Sequence, residues 1–98
     1  RGIVIDVYAD WCIACQPIEH RILKDAEVQQ ALSSFYLIKL DLSQYDASHQ
    51  ALLQQWDILG PPTYLFLDAQ QQEIRALRLT GTFQKAKLLQ QLVALKGY

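Results

Sequence analysis

The sequence predicts an α/β domain in which a mixed central sheet carries helices on both faces. Apolar segments of strand length alternate with segments of helical pattern, in the order β-α-(α)-β-α-β-β-α. The chain has 98 residues, of which 51% are hydrophobic and 19% are charged. This length and composition suit one packed core and exclude a disordered chain. We therefore expect residues 1–98 to form a single domain.

The first half of the chain contains two predicted strands and a divided helix. Ile3–Tyr8 is apolar except for Asp6, as expected for a strand that is buried on both faces of a sheet. The stretch from Cys12 to Ser33 has a helical pattern, and we expect two pieces, with Asp25 as the N-cap of the second. Bulky apolar residues make Phe35–Leu42 the second predicted strand.

The second half contains a short helix, a hairpin and a final helix. Asp46–Trp56 is the predicted short helix, and Thr63–Leu67 is the third strand. A turn at residues 68–70 leads into a fourth predicted strand, Ile74–Leu79. We expect Thr82 to cap the last helix. The apolar stripe predicted for that helix consists of Leu88, Leu89, Leu92 and Val93.

Composition excludes several classes of protein. The net charge of −1 gives no electrostatic footprint for nucleic acid, so we expect no nucleic-acid partner. The apolar runs are strand-sized, so this segment is not expected to insert into a membrane. Two cysteines cannot form the disulfide framework of a small secreted scaffold. The chain contains no methionine, which we interpret as a sign that it is a piece of a longer protein.

The motif that carries chemistry is Cys12-Ile13-Ala14-Cys15, at the junction of the first strand and the first helix. A helix start favours the thiolate form of Cys12, and the thiolate is the nucleophile. Cys12 is thus expected to attack a partner disulfide and Cys15 to resolve the mixed disulfide. A structural zinc site needs about four ligands, and His20 and His49 do not supply the missing pair. Two unrelated buried cysteines are the remaining alternative.

Three motifs follow one another along the chain. They are Tyr8-Ala9-Asp10-Trp11-Cys12-Ile13-Ala14-Cys15, then Leu59-Gly60-Pro61-Pro62-Thr63, then Thr80-Gly81. Together they resemble the thioredoxin superfamily and, more narrowly, the C-terminal periplasmic domain of the DsbD family of thiol:disulfide interchange proteins. The resemblance implies a thioredoxin-like fold whose usual N-terminal strand and helix are missing from this chain. It also implies a domain trimmed from a membrane-anchored parent.

The resemblance implies a protein-disulfide reductase that relays electrons through Cys12 and Cys15. A membrane domain is the expected donor and an N-terminal periplasmic domain the expected acceptor, upstream of disulfide isomerases and cytochrome c maturation. No metal or organic cofactor is implied, and the expected location is the periplasmic face of the bacterial inner membrane. Two alternatives remain, namely a stand-alone thioredoxin-like reductase, for example in cytochrome c maturation, and a non-catalytic interaction module with a thioredoxin fold.

Two acidic residues are candidates for tuning the cysteine pKa values. By residue type alone, Asp6 is either a strand-end carboxylate that reaches solvent or a buried acid, and Glu19 is an ordinary solvated residue one helical turn after Cys15. The resemblance implies a buried acid at Asp6, behind the disulfide, and a glutamate near the cysteines at Glu19. Two anions disfavour the Cys12 thiolate, and a carboxylate of raised pKa can exchange a proton with Cys15.

The partner-binding candidates are Trp11, Pro61 and Pro62. The two prolines form either a stiff connection or, as the resemblance implies, a cis bond that places the Pro62 ring against the disulfide. Pro61 has no N–H group, so only its carbonyl remains for pairing with a partner backbone. Trp11 is either an apolar docking residue or a core aromatic, and Trp56 is expected in the core. Pro17 is expected to kink or delay the first helix.

Overall fold

The computed structural model describes residues 1–98, and its centre is a four-stranded mixed sheet. The strands are β1 (Ile3–Tyr8), β2 (Tyr36–Asp41), β3 (Thr63–Leu67) and β4 (Leu79–Thr80). Their order across the sheet is β2-β1-β3-β4, with β1 parallel to β2 and antiparallel to β3. The α/β fold class predicted from the sequence is confirmed.

Three α-helices cover the sheet: α1 (Ala26–Leu32), α2 (Ala47–Gln55) and α3 (Lys85–Lys96). Asp25 caps α1 as predicted, since its carboxylate accepts hydrogen bonds from the backbone N–H groups of the second and third residues after it. No helix combines the length and the apolarity needed to cross a membrane.

The strand alternation divides the core between the two faces of the sheet. On one face, Val4, Tyr64 and Phe66 pack against α1 and α3. On the other face, Ile5, Val7 and Leu65 pack against residues of α2 and of the neighbouring loops. The buried residues that the helices and loops contribute to the two faces include Val28, Leu32, Leu88, Leu92 and Leu95 on the first, and Leu42, Leu53 and Ile58 on the second. β1 is therefore buried on both faces.

The stretch between Cys12 and α1 is not a regular α-helix. It consists of a 3₁₀ turn, Ile13–Cys15, followed by a π-helical segment, Ile18–Ile22. Gln16 and Pro17 join the two in α-helical conformation, so the helical path runs unbroken from Ile13 to Ile22. Pro17 therefore does not delay the helix as predicted, although the helical geometry changes from 3₁₀ to π around this residue.

The predicted fourth strand, Ile74–Leu79, is wrong over most of its length. Glu73 forms an isolated bridge to Leu67, a 3₁₀ turn spans Arg75–Leu77, and only Leu79–Thr80 pairs with β3. The turn brings the side chains of Ile74 and Leu77, three residues apart, into the same core, which an alternating strand does not do.

Two expectations for the last helix are also wrong. Thr82 does not cap it, since α3 begins after Gln84, whose side chain forms no capping bond. Phe83 turns inward and meets the ring of Tyr64 at 5.1 Å between centroids, which delays the helix start. Val93 is 73% exposed, because the buried stripe runs through positions 88, 92 and 95 at helical spacing.

Candidate active site

Cys12 and Cys15 form a disulfide where β1 gives way to the 3₁₀ turn. Their Cα atoms are 5.3 Å apart. Cys12 is 7% exposed and Cys15 is 1% exposed, so Cys12 is the more accessible of the two sulfurs. The backbone N–H of Cys15 donates a hydrogen bond to Sγ of Cys12 at 3.2 Å. A donor in this position stabilises negative charge on Cys12 when the disulfide is open.

Cys12 is the N-cap residue of a helical segment, as the sequence predicted. The sequence predicts that Cys12 begins a helix, with the macrodipole of several aligned peptide groups behind it. The structure has an irregular helical segment there, residues 13–22, which opens with a 3₁₀ turn and passes through Pro17. The N–H of Cys15 is the backbone group that donates to this sulfur.

The loop that carries the cysteines is fixed by one polar contact to Ser43, which follows β2, and by two contacts within the loop. The Asp10 N–H donates to Oγ of Ser43 at 2.8 Å. The side-chain amide of Gln16 donates to the carbonyl oxygens of Asp10 and Cys12, at 3.1 and 3.2 Å. These bonds tie the residues on either side of Cys12 to one another and to Ser43.

An acid–base cluster lies on the face of the sheet that packs against α1 and α3. Lys39 of β2, Asp6 of β1 and Tyr64 of β3 are register partners, so they form one row across three strands. Asp6 is 1% exposed. Nζ of Lys39 lies 4.0 Å from Oδ2 of Asp6 and 2.5 Å from Oε1 of Glu19. Since Glu19 follows Cys15 by four residues, the segment that carries the resolving cysteine also brings an acid to Asp6.

Burial, and after it the neighbouring Glu19 carboxyl, raise the pKa of Asp6, which reaches about 8. Lys39 opposes these effects, because its positive charge favours the carboxylate. Asp6 therefore changes its charge near neutral pH, where an exposed aspartate is always ionised. A group that titrates in this range is suited to take up and return a proton during exchange.

Lys39 is a site residue that was not predicted from the sequence. Burial works against its charge, yet Glu19 and Asp6 raise its pKa, so it stays protonated. Its ammonium also lies over the ring of Tyr8, 4.7 Å from the centroid. A lysine within a strand of bulky apolar residues is the signal that could have identified it, although its pairing depends on strand register.

The second part of the site is the loop before β3. The Pro61–Pro62 peptide bond is cis. Oγ1 of Thr63 donates to the carbonyl of Gly60 at 2.6 Å, and the N–H of Gly81 donates to the carbonyl of Pro62 at 2.9 Å. Gly81 has φ of +86°, a conformation that a residue with a side chain rarely adopts. These contacts fix the two prolines, with Pro62 buried and Pro61 partly exposed.

An exposed apolar surface surrounds the disulfide. Trp11 is 57% exposed, Ile13 87% and Leu59 93%. Between Trp11 and Leu59 lies a groove of about 210 Å³, also lined by Tyr45 and Pro61. Trp11 is thus a surface residue and not a core aromatic. Apolar patches of this kind mark protein interaction sites.

The other residues considered from the sequence lie away from the disulfide chemistry. Trp56 is partly buried against the core face that contains α2. His20 is exposed, and His49 is half-buried beside Asp46. The structure contains no cluster of three or more His, Cys, Asp or Glu side chains placed to hold a metal ion.

Comparisons with known proteins agree with this geometry. A family model described as a thioredoxin-like domain matches residues 1–96. The thiol:disulfide interchange protein DsbD of Yersinia pestis is 41% identical over 92 residues, which is 94% of this chain and 16% of that protein. The chain thus spans about one sixth of the length of the curated relatives it matches.

Solved structures give the same result. The C-terminal domain of Neisseria meningitidis DsbD matches in its oxidised form with a TM-score of 0.77 and 29% identity, over 92% of this chain and 76% of that one. Its reduced form matches with a TM-score of 0.81 and 28% identity, over 95% and 79% of the two chains. With Cys12 and Cys15 joined in this fold, the site is that of a thiol–disulfide oxidoreductase. The chain belongs to the thioredoxin-like family, in which it is similar to the C-terminal domain of DsbD.

Proposed function

We propose that this domain relays electrons between a membrane-embedded dithiol donor and a periplasmic disulfide acceptor, as one domain of a longer membrane protein. The observation that carries the proposal is the Cys12–Cys15 disulfide in a domain similar to the C-terminal domain of DsbD. The proposed acceptor is the N-terminal domain of the same protein. The proposed location is the periplasmic face of the inner membrane, with residues 1–98 as a single thioredoxin-like domain.

The proposed reaction moves two electrons and two protons to the acceptor. The thiolate of Cys12 attacks one sulfur of the partner disulfide, and the other partner sulfur leaves as a thiolate that takes up a proton. The thiol of Cys15 then gives its proton to the Asp6 carboxylate and attacks Sγ of Cys12. This step forms the Cys12–Cys15 disulfide and displaces the second partner sulfur, which is protonated in turn. A donor dithiol restores the reduced domain by the reverse sequence.

Asp6 and Glu19 are proposed to hold the reduced site at low reactivity until a partner docks. Negative charge on either carboxylate disfavours a thiolate at Cys12, because like charges repel strongly where water is excluded. The N–H of Cys15, which donates to the Cys12 sulfur, acts in the opposite direction and favours the thiolate. The raised pKa of Asp6 also supplies a proton acceptor that works near neutral pH.

Partner recognition is proposed to rest on the apolar surface formed by Trp11, Ile13 and Leu59, together with Pro61 and Pro62. A partner with apolar residues beside its cysteine buries this surface on docking. Pro61 offers a carbonyl acceptor and no N–H donor, so the backbone pairing with a partner is one-sided. Such a surface limits exchange to partners whose shape fits it.

The test compares two acceptors. The reduced chain is mixed with the oxidised N-terminal domain of a DsbD relative, and in parallel with insulin, and the rate of disulfide reduction is followed. The relay predicts reduction of the DsbD domain at a rate at least tenfold above that of insulin. Equal rates with both acceptors would instead indicate a stand-alone, general reductase. Reduction of neither acceptor, with Cys12 and Cys15 demonstrably reduced, would indicate a non-catalytic module.

A further inference from the structure

The side chain of Tyr64 places a hydroxyl group in the core directly beside Asp6. The two residues are Cα partners in the antiparallel pairing of β1 and β3, and both are at most 1% exposed. The hydroxyl of Tyr64 and both carboxylate oxygens of Asp6 are buried without a hydrogen-bond partner. The ring of Tyr64 is held by Phe83, edge to face, and by Phe66 at 6.5 Å between centroids.

Buried polar groups in proteins are nearly always hydrogen-bonded, since an unpaired one costs free energy. Tyr64 and Asp6 face each other on adjacent strands, so a small side-chain rotation can bring the hydroxyl and the carboxylate into a hydrogen bond. That bond would remove the cost for both groups. The need is greatest when Asp6 is ionised, because a buried carboxylate requires donors. Burial, followed by the charge of Asp6, raises the pKa of Tyr64 far above its ordinary value, so its hydroxyl stays a donor.

The other groups that face Asp6 are charged or engaged elsewhere. Glu19, from the π-helical segment, is itself an acid. Lys39, from β2, is 4.0 Å from the Asp6 carboxylate and is engaged by Glu19. Tyr8, further along β1, lies under the Lys39 ammonium. Tyr64 is therefore the neutral donor that β3 contributes to the cluster.

We propose that Tyr64 is a positioning residue for thiol–disulfide exchange, whose hydroxyl donates a hydrogen bond to the ionised Asp6 carboxylate and so sets the pH at which Asp6 accepts the proton of Cys15. This inference rests on the proton-accepting role proposed above for Asp6. It gives the Tyr64 hydroxyl a function that phenylalanine, which has the same ring but no hydroxyl, could not perform.

The direction of the effect follows from which form of Asp6 the bond stabilises. A donor stabilises the carboxylate, so Tyr64 lowers the pKa of Asp6 relative to a site without the hydroxyl. Removing the hydroxyl leaves more of Asp6 protonated at pH 7, and a protonated Asp6 cannot take the proton from Cys15. The second step of exchange then slows at pH 7 and recovers at higher pH.

The first experiment measures the titration of Asp6 by the NMR shift of its carboxyl carbon in the oxidised chain, where no thiol titrates. Tyr64→Phe is expected to raise the Asp6 pKa by about one pH unit, the size typical of losing one hydrogen bond to a charged group. Tyr98→Phe, which removes a hydroxyl from an exposed tyrosine, is the matched control and should leave the titration unchanged. An unchanged Asp6 titration in Tyr64→Phe overturns the proposal.

A second measurement does not depend on the folding of the Tyr64 variant. In the wild-type chain, the NMR shift of the Tyr64 ring carbon bonded to oxygen should change over the pH range in which Asp6 titrates. In Asp6→Asn, whose side chain does not titrate, that change should be absent. A Tyr64 shift that does not follow Asp6 in the wild-type chain overturns the hydrogen bond.

The exchange reaction distinguishes this inference from the proposed function. The pH profile of insulin reduction in Tyr64→Phe should move to higher pH by the same amount as the Asp6 pKa. A moved Asp6 pKa with an unmoved rate profile overturns the positioning role of Tyr64. If Asp6→Asn also leaves the pH profile of insulin reduction unmoved, the proton-accepting role of Asp6 is wrong as well. The titration of the Asp6 carboxyl then still decides whether Tyr64 donates a hydrogen bond to Asp6.

Discussion

Replacing Asp6 by asparagine is expected to raise the unfolding free energy of the domain above that of the wild type at neutral pH. At acidic pH the difference between the two proteins should be small. In the unfolded chain Asp6 loses its proton near the ordinary value of 3.8, whereas burial and Glu19 keep it protonated in the folded chain up to about pH 8. Between these values the folded state holds one more proton than the unfolded state. The unfolding free energy of the wild type therefore falls as pH rises through this window.

The size of the effect follows from the proton linkage. Each pH unit inside the window costs the wild type about 1.4 kcal/mol of unfolding free energy. From pH 5 to pH 7, the advantage of Asp6→Asn over the wild type should grow by about 3 kcal/mol. The exposed aspartates whose pKa values are lowered titrate equally in both proteins, so their opposite effect cancels in the difference.

Urea unfolding of the oxidised proteins at pH 5, 6 and 7, followed by circular dichroism, measures this difference. Asp10→Asn is the matched control, because the Asp10 side chain is exposed and makes no hydrogen bond of its own. Its stability relative to the wild type should not depend on pH. A difference between Asp6→Asn and the wild type that stays constant from pH 5 to pH 7 would refute a raised Asp6 pKa.

Three further predictions concern the groups around this acid. In a thiol titration of the reduced chain, Glu19→Gln should lower the pKa of Cys12, as should Asp6→Asn, because each removes a nearby anion; no movement in either variant would contradict the tuning role. Lys39→Met should cost about 1 kcal/mol at pH 7, since it leaves the Glu19 carboxylate without its cation, and Lys39→Arg should restore most of the loss in urea unfolding. Pro61→Val adds an N–H donor beside the disulfide and should increase the rate of exchange with insulin a few-fold; an unchanged rate would exclude backbone pairing at this position.

The sequence was sufficient where local chemistry decides the structure. The apolar run of β1 and the capping carboxylate of Asp25 each depend on residues close together in the chain. The cis bond between Pro61 and Pro62 followed from the resemblance to a family and not from the residues alone, since either isomer is compatible with the dipeptide.

The sequence was insufficient where strand register decides the structure. Asp6 meets Lys39 and Tyr64 because three strands are aligned at one row, and no local pattern specifies that alignment. The false prediction of a strand at Ile74–Leu79 has a similar cause. Burial of side chains three residues apart required a 3₁₀ turn, and this requirement appears only when the packed core is known.

The chemistry of the Cys12–Cys15 pair is tested most directly by mapping a trapped intermediate. The Cys15→Ala and Cys12→Ala variants are each reduced and mixed with a protein disulfide such as insulin, and the products are analysed by mass spectrometry without reductant. The structure, with the sulfur of Cys12 the more exposed, predicts a stable mixed disulfide at Cys12 in the first variant and none in the second. An adduct at Cys15 in the Cys12→Ala variant, or no adduct in either variant, would contradict Cys12 as the attacking group.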